Sequence, residues 1–466
     1  MDFVASIAFL ILYFIRPQDW VPFLSGLNVV KPIMAIGFWG VLTRTPQSTP
    51  WRIMTTPHEW VMITYLLYGC YVDPEWLDTI MAILPLAGFY FLTSQSLTSP
   101  ERLDLFFRWW AGAVAFMCMV GVATDMGVDL TGARGLIDGQ LGRLCLNTSL
   151  LDNPNALGHT AVTAFPLVFF TMFFRRDVGS RMLALPILIL VVMCVVATES
   201  KGAYLAAGAC VAAALLVGRS LGVQISIAAL LLIGGSTVTS MLPRMTDREA
   251  IRHDEGVMGR ALAFEAGRTA YRTTTTGWNR FQAEIQWQGE TTAKATHSSI
   301  VQIGADLGPV GLFLYLSIMG CAARSLLTMK TDSDELERAR RLLFSLLVGY
   351  FVSGWMINRS YHTEFFLLAG AATAFHKLAQ ARIRSEAGLE PVPSEDSDAE
   401  DQSPAPVFVM SLPDEKGETH IEQRDVVLPV GARWNRYGVV DLAIGYGLLS
   451  FTVWFWDYLI SYFIVS

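Results

Sequence analysis

Residues 183–198 read LALPILILVVMCVVAT, an apolar run that carries no charged side chain. A helix of about 20 such residues spans the roughly 30 Å hydrocarbon core of a membrane, where every backbone polar group is satisfied within the helix. Runs of the same kind recur along nearly the whole chain. The clearest are 103–125, 156–174, 202–218, 222–241, 306–326, 340–357, 363–380 and 437–458, and less regular ones are 3–15, 25–43, 57–72 and 77–93.

The overall composition is that of a membrane protein. Of the 466 residues, 53% are hydrophobic and only 16% are charged, and the mean hydropathy is +0.41. Soluble proteins carry about 25% charged residues, more than this chain offers to a water-facing surface. We therefore predict an all-α polytopic membrane protein with about 12–13 transmembrane helices. The first run, 3–15, lacks a basic n-region before it and a small-residue cleavage site, so we expect a retained helix rather than a signal peptide.

The positions of Lys and Arg predict which way the helices face, because short basic loops stay in the cytoplasm. If each apolar run forms one helix, four basic loops fall on the same side of the membrane. Their cations are Arg44 and Arg52; Arg102 and Arg108; Arg175, Arg176 and Arg181; and Arg324, Lys330, Arg338, Arg340 and Arg341. The loops 72–75 and 126–155 and the stretch 242–298 then fall on the other side. We expect a cytoplasmic N-terminus and a periplasmic 242–298 loop.

This alternation divides the chain into five parts. They are transmembrane helices 1–9 in residues 1–241, a large Arg-rich periplasmic loop in 242–298, helices 10–12 in 299–384, an acidic insert in 385–435 and a C-terminal transmembrane helix in 436–466. The insert carries the run SEDSDAED at 394–401 and several prolines, so we expect it to be disordered and cytoplasmic. It is either a solvated linker or a regulatory segment that docks a partner.

The 242–298 loop opposes the usual charge bias, because it places basic residues outside the membrane. They are interspersed with nearly as many acids and comprise Arg244, Arg248, Arg252, Arg260, Arg268, Arg272, Arg280 and Lys294. One explanation is a helical cap of mutual salt bridges, helped by cations one helical turn apart at Arg248 and Arg252. The other is recognition of a multiply charged anion, since guanidinium groups bind phosphate oxygens bidentately.

The most specific sequence patterns lie at the end of this loop and before it. Residues 297–302 read HSSIVQ, and residues 305–312 read ADLGPVGL. Upstream stand GWNRF at 277–281, Gly259-Arg260, SKGA at 200–203 and NPNALG at 153–158.

Taken together, these patterns resemble those of the O-antigen ligases and the related Wzy-type O-antigen polymerases. The family carries, in the same order, an "NPN-LA" helix start, an "SRGA", an Arg-containing loop helix, a "GWGNF" turn and an "HNSYLQ…AELGLPGLL" signature. The resemblance covers roughly residues 140–330. The chain departs from it at Lys201, where the family usually has Arg, and at Phe264, where Trp is expected. Lysine keeps the charge but loses the planar fork.

The resemblance implies a GT-C-like membrane glycosyltransferase. Such an enzyme transfers a glycan from an undecaprenyl-pyrophosphate carrier to an acceptor hydroxyl at the periplasmic face of the inner membrane, for O-antigen, capsule or exopolysaccharide. The family mechanism uses no metal, we expect no cofactor, and the six cysteines show no metal or redox spacing. The expected partners are the carrier-linked glycan, membrane lipid and other assembly proteins such as a flippase or chain-length regulator, but no nucleic acid.

This chemistry requires a base for the acceptor hydroxyl and cations for the developing pyrophosphate charge. The resemblance assigns the base to His297 and the catalytic cation to Arg260. Arg260 is also the first expected pyrophosphate ligand, and the others are Lys201, Arg280 and Arg268. A helix-capping role for His297 is the structural alternative.

Three further residues have equally plain structural alternatives. Arg268 and Arg280 are candidates for salt bridges, with Glu265 and Glu284 as the expected partners. The NPN element has a simple role if Asn153 caps the helix that follows, because Asn is a good N-cap.

Two other functions stay open. A transporter or flippase would place ionisable residues inside its helices near the midplane, whereas here they gather in the outer loop. The shared motifs do not separate a ligase, whose acceptor is lipid A–core, from a polymerase, whose acceptor is another carrier-linked unit. We favour the polymerase, because an acid-balanced outer loop offers no basic face to phosphorylated lipid A.

Overall fold

The computed structural model describes residues 1–26, 29–44, 53–132, 142–219, 222, 255–287, 290–387 and 434–465. Over these ranges the chain is almost entirely helical. Its helices are α1 (Asp2–Ile15), α2 (Pro17–Trp20), α3 (Val30–Leu42), α4 (Pro57–Val72), α5 (Trp76–Ser96), α6 (Pro100–Asp125), α7 (Pro154–Val168), α8 (Val178–Ala197), α9 (Lys201–Leu216), α10 (Glu255–Thr273), α11 (Ser299–Thr328), α12 (Asp334–Ser353), α13 (Thr363–Glu386) and α14 (Val439–Ile460). Short helical turns at Pro22–Leu24, Phe169–Phe173 and Ser461–Val465 and the strands β1 (Ala283–Trp287) and β2 (Glu290–Lys294) complete the described part.

The protein has the predicted all-α polytopic membrane fold. Six of the described helices are long and apolar enough to cross a membrane, namely α5, α6, α7 with the turn that follows it, α8, α11 and α14 with its own turn. The remaining apolar runs of the described part form the shorter or more polar helices α1, α3, α4, α9, α12 and α13. The predicted run 222–241 and the greater part of the predicted acidic insert lie outside the described residues.

Polar caps begin many of these helices. At α4 the Thr56 side chain accepts a hydrogen bond from the Glu59 amide, and the Glu59 carboxylate accepts one from the Thr56 amide, which is a capping box. Ser99, Asp177 and Ser333 cap α6, α8 and α12 with side chains that accept a hydrogen bond from the amide three residues later. A cap satisfies backbone amides that the first helical turn leaves without partners.

The predicted basic loops lie together at one end of the bundle. Arg44 forms an ion pair with Asp2 at the start of α1, Arg176 pairs with Asp104 of α6 at 2.5 Å, and Arg324 pairs with Asp441 of α14 at 2.7 Å. These contacts join the ends of helices that are far apart in sequence. We call this end the basic face.

The loops predicted to lie on the other side meet at the opposite end. Ser149 donates a hydrogen bond to Asp19 at 2.7 Å, and Arg280 donates to Asp73 at 2.9 Å. The loop 72–75, the segment before α7 and the region 277–299 are therefore at one end of the bundle, which we call the outer face. This arrangement agrees with the alternation derived from the basic loops.

The 242–298 loop, for which a helical cap was one explanation, contains both helix and sheet. Helix α10 is followed by an antiparallel hairpin in which Ala283 pairs with Lys294 and Trp287 with Glu290. Ala283 and Ile285 point inward and pack with Ala263 of α10, so the strand has the alternation of a half-buried β-strand. A helical cap, one of the two explanations considered for this loop, therefore does not describe the hairpin. Arg244, Arg248 and Arg252 lie outside the described residues.

Helix α11 passes through the bundle and packs against α4, α10, α12, α13 and α14. Its first turn lies at the outer face, and Gly308 (φ +65°) with Pro309 breaks it two turns later, as glycine and proline do where a helix kinks. Trp456 of α14 is fully buried against α11, where a side chain at Gly304 would lie 2.9 Å from the indole ring. These contacts fix the start of α11, which follows His297 directly.

Candidate functional site

His297 is the last residue but one before α11 and has a left-handed backbone, with φ +50°. Its side chain is exposed. The helix is capped by Ser298, whose Oγ accepts a hydrogen bond from the Val301 amide at 3.3 Å and donates one to the Gly354 carbonyl at 2.9 Å. The capping role considered for His297 therefore belongs to its neighbour, and the imidazole is directed outward.

Two cations accompany the imidazole. Arg260 on α10 and Lys294 at the end of β2 both lie close enough to act electrostatically on His297. The Lys294 side chain lies against α10 next to Arg260. A side-chain carbon at Gly259 would be only 3.0 Å from Lys294 Nζ. Of the predicted site residues, the structure thus brings His297 and Arg260 together. Lys294 was counted among the loop cations but was not predicted as a site residue.

The electrostatic environment keeps His297 neutral. The ring is open to solvent on one side, yet the protein around it desolvates the imidazolium, and Arg260 and Lys294 repel the added charge. Burial first, and the two cations second, lower the pKa of His297 from its ordinary value. The ring is therefore deprotonated near pH 7 and free to take a proton from a substrate hydroxyl, which is the property that a general base needs.

Lys201 is the first residue of α9 and is exposed at the outer face. Ser200 caps this helix, and its Oγ donates a hydrogen bond to Asn155 Oδ1 at 2.7 Å. Asn153 caps α7 by accepting from the Asn155 amide, so the predicted capping role is confirmed. The SKGA and NPN motifs are thus in direct contact.

Arg143 strengthens this contact and was not predicted. Its guanidinium donates to Asn155 Oδ1 at 3.1 Å and to the Thr198 carbonyl at 3.0 Å. Burial lowers the pKa of Arg143, but an arginine remains charged at neutral pH. This is a second cation near the start of α9, and in the sequence it precedes the NPN motif by ten residues.

The start of α9 and the His297 junction meet through the turn between α12 and α13. A side chain at Gly202 would lie 2.8 Å from Met356 Cβ, so α9 approaches this turn closely. The same turn holds the first residues of α11, since the Arg359 amide donates to Ser299 Oγ at 2.8 Å. Lys201 and His297 are therefore placed on one corner of the outer face.

The same turn carries a buried ion pair that the sequence reasoning missed. Arg359 is 4% exposed and donates to Glu364 at 2.9 Å and to the Ala156 carbonyl of α7 at 3.0 Å. A short polar stretch between the apolar runs 340–357 and 363–380 was the signal available for it. The pair joins α7, α13 and the start of α11.

Arg268 lies in an ion pair that differs from the predicted one. It is 8% exposed and donates to both oxygens of Asp457 on α14, at 2.7 and 2.9 Å. Its guanidinium also lies over the Tyr271 and Trp456 rings. The expected partner, Glu265, was wrong, and the observed contact joins α10 to α14. A pyrophosphate role for Arg268 stays a prediction.

Arg280 likewise contacts carboxylates other than the one expected from the sequence. It donates to Asp73 at 2.9 Å and to Glu75 at 2.8 Å, rather than to Glu284, so that expectation was wrong. These carboxylates raise the pKa of Arg280. Although burial opposes the charge of Asp73, its hydrogen bonds with Arg280 and backbone amides hold the pKa of that carboxyl below its usual range. Pyrophosphate binding by Arg280 also stays a prediction.

The glycine and tryptophan of the GWNRF turn have a structural explanation. Gly277 has φ +104°, and a side-chain carbon there would lie 2.7 Å from the Asp73 carboxylate, so glycine alone fits this approach. The Trp278 amide donates to Asp73 at 2.7 Å, and its ring packs against Gly69 of α4. The turn fastens the outer region to the bundle.

Residues 186–316 match the family model of the O-antigen ligases. This match supports the resemblance of the chain to the O-antigen ligase and Wzy-type polymerase family. The matched part runs from within α8 to within α11 and contains Lys201, Arg260, Lys294 and His297. A comparison with curated proteins gives no match. The cations and the imidazole that meet at the outer face thus lie in the part of the chain that matches the O-antigen ligase model.

Proposed function

We propose that this protein transfers a glycan from an undecaprenyl-pyrophosphate carrier to an acceptor hydroxyl at the periplasmic face of the inner membrane. We propose further that the reaction is the polymerisation of repeat units of a surface polysaccharide. The observation that carries the proposal is the exposed, neutral His297 beside Arg260 and Lys294. A base next to cations, at the outer end of a spanning helix, is what this transfer needs.

The reaction divides between the two kinds of group. His297 removes the proton of the acceptor hydroxyl while the acceptor oxygen bonds to the anomeric carbon of the donor. The bond from that carbon to the pyrophosphate oxygen breaks, and the carrier pyrophosphate leaves with the electron pair. General-base assistance is worth about a hundred- to ten-thousandfold in rate. Cations that face the leaving charge contribute about 3 kcal/mol.

Arg260 is the first ligand for the leaving pyrophosphate, and Lys201 is the second. Arg260 acts on His297 directly, whereas Lys201 stands on the neighbouring helix start at the same corner. Lys294 adds a third cation. Arg268 and Arg280 are assigned to the ion pairs that hold the outer region in place, because their guanidinium groups already contact carboxylates.

The periplasmic location rests on the charge asymmetry between the two ends of the bundle. The basic face gathers the short basic loops that remain in the cytoplasm, and His297 lies at the other end. Cysteine at Thr291, in a cysteine-free variant, should react with an impermeant thiol reagent on intact spheroplasts. Cysteine at Ser403 should react only after lysis. Labelling of intact spheroplasts at position 403 but not at 291 would show the opposite orientation and contradict the proposal.

Polymerisation is favoured over ligation by the ion pairs of the outer region. Asp457, Asp73 and Glu75 neutralise Arg268 and Arg280, which leaves less basic surface for phosphorylated lipid A. Ligation of the glycan to lipid A–core is the alternative, and the family includes both activities. The purified protein, given only carrier-linked repeat units, should form a ladder of longer products. A single product that appears only when lipid A–core is added would identify a ligase instead.

A further inference from the structure

A buried chain of polar side chains lies directly beneath His297. Thr296 Oγ1 donates a hydrogen bond to Gln302 Oε1 at 2.9 Å. Gln302 Nε2 donates in turn to Asp306 Oδ2 at 3.0 Å and to the Phe281 carbonyl at 2.9 Å. Thr296 and Asp306 are fully buried, and Gln302 is 3% exposed. The chain connects the residue before His297 with a carboxylate two turns into α11.

Asp306 determines how this chain is arranged, because its carboxylate is surrounded by donors. Besides Gln302, it accepts hydrogen bonds from the Thr276 hydroxyl, the Arg280 amide, the Phe281 amide and the Tyr361 hydroxyl, at 3.0, 3.0, 2.6 and 2.8 Å. An ionised carboxylate only accepts hydrogen bonds. The Gln302 group that faces it must therefore be the NH₂, and the Gln302 oxygen must face Thr296. The chemistry of the partners fixes the orientation of the amide.

Thr296 transmits this arrangement to the backbone that follows His297. Its Oγ1 accepts a hydrogen bond from the Ser298 amide at 3.4 Å and lies 3.1 Å from the Ser298 carbonyl oxygen. His297, between the two residues, has φ +50°, a conformation that residues other than glycine rarely adopt. The hydroxyl of Thr296 thus braces the peptide that carries the imidazole outward.

We propose that Thr296 and Gln302 are positioning residues for His297, with Asp306 as the fixed acceptor that orients them. The inference rests on the proposed function, in which His297 is the base. It goes beyond it by naming buried residues, which substrate does not touch, that set the direction of the imidazole. A displacement of about 1 Å in a reacting group costs on the order of a hundredfold in rate.

The test compares two substitutions at one position in the full-length purified protein. Thr296→Val keeps the shape but removes the hydroxyl, whereas Thr296→Ser keeps the hydroxyl. We expect kcat to fall about tenfold or more in the valine variant, with KM within about twofold of the parent. The serine variant should retain nearly all of the parental kcat. Activity is expressed per mole of folded protein, so lower stability alone does not change it.

Gln302→Asn provides a second break in the same chain, since the shorter amide no longer reaches Thr296. If both residues act through their shared hydrogen bond, the double variant Thr296→Val/Gln302→Asn should have a kcat close to that of the less active single variant. If Thr296→Val fails to fold, the kcat of Gln302→Asn alone tests the positioning role. Losses that multiply in the double variant would contradict a shared route to His297.

His297→Ala separates failure of this inference from failure of the proposed function. Loss of transfer in His297→Ala, together with a parental kcat in Thr296→Val and Gln302→Asn, would overturn the positioning role and leave the base in place. Full transfer by His297→Ala would overturn the base itself. Loss in all three variants, with retention in Thr296→Ser, is the result expected here.

Discussion

Ser298 caps α11 through the Val301 amide, and His297, one residue earlier, stands outside the helix with a left-handed backbone. We therefore assign a structural task to Ser298 and, in the proposed reaction, a chemical task to His297. Ser298→Ala should lower the free energy of unfolding by about 1 kcal/mol, the usual cost of a lost cap. His297→Gln should leave the unfolding temperature unchanged. Thermal unfolding of both variants in the same detergent tests this division, and equal destabilisation would contradict it.

In the proposed reaction Arg260 faces the charge that develops on the leaving pyrophosphate, so Arg260 should be essential. Arg260→Ala should lower kcat about a hundredfold, equivalent to about 3 kcal/mol of transition-state stabilisation. Arg260→Lys should retain part of the activity, since the charge remains while the planar fork is lost. Lys201→Arg is the matched control, because it supplies the residue usual in the family and should be tolerated. Normal transfer by Arg260→Ala, at normal membrane levels, would make Arg260 a structural residue.

Lys294 should shift the pH dependence of the reaction without being required for it. Its charge contributes to the lowered pKa of His297, after burial and Arg260. A base is active when deprotonated, so the rate rises as pH increases through the pKa of His297, below about 6.5. Lys294→Ala removes a repelling cation and raises that pKa, so the midpoint of the rise should move to higher pH. Lys294→Arg should leave it in place. A midpoint that moves to lower pH would contradict the proposed proximity.

The pair of Arg268 and Asp457 should contribute to stability more than to chemistry. Both Arg268→Ala and Asp457→Asn break the contact between α10 and α14, and each should lower the unfolding temperature. The coupling energy in a double-mutant cycle should be about 1 kcal/mol or less, because Asp457 is 45% exposed and solvent screens the pair. If Arg268 binds pyrophosphate instead, Arg268→Ala should abolish transfer while Asp457→Asn retains it.

The sequence predicted the helices well because an apolar run reports directly on a membrane span. The cap at Asn153 was also predicted, since capping depends on residues within the same turn. The hairpin at 283–294 was missed, because its alternation is carried by only Ala283 and Ile285 within a polar stretch. Two short strands of this kind give little periodic signal.

The partners of the site residues were harder to predict, because they come from distant parts of the chain. Arg280 contacts Asp73, which is 207 residues away, and no local pattern indicates that approach. Arg359 likewise reaches the start of α11 only when α12 and α13 pack beside it. Motif order identified His297 and Arg260, whereas the supporting contacts depend on the folded chain.

The pH–rate profile of His297→Gln tests the assignment of the base most directly. Glutamine keeps a polar side chain at this exposed position, which does not cap the helix, but it cannot take up a proton near neutral pH. With purified protein and carrier-linked substrate, the parent should show a rate that rises through a pKa below about 6.5. The variant should lose about a hundred- to ten-thousandfold in kcat, and its residual rate should show no such rise. A near-parental kcat with the same pH dependence would contradict the role of His297 and leave catalysis to the cations alone.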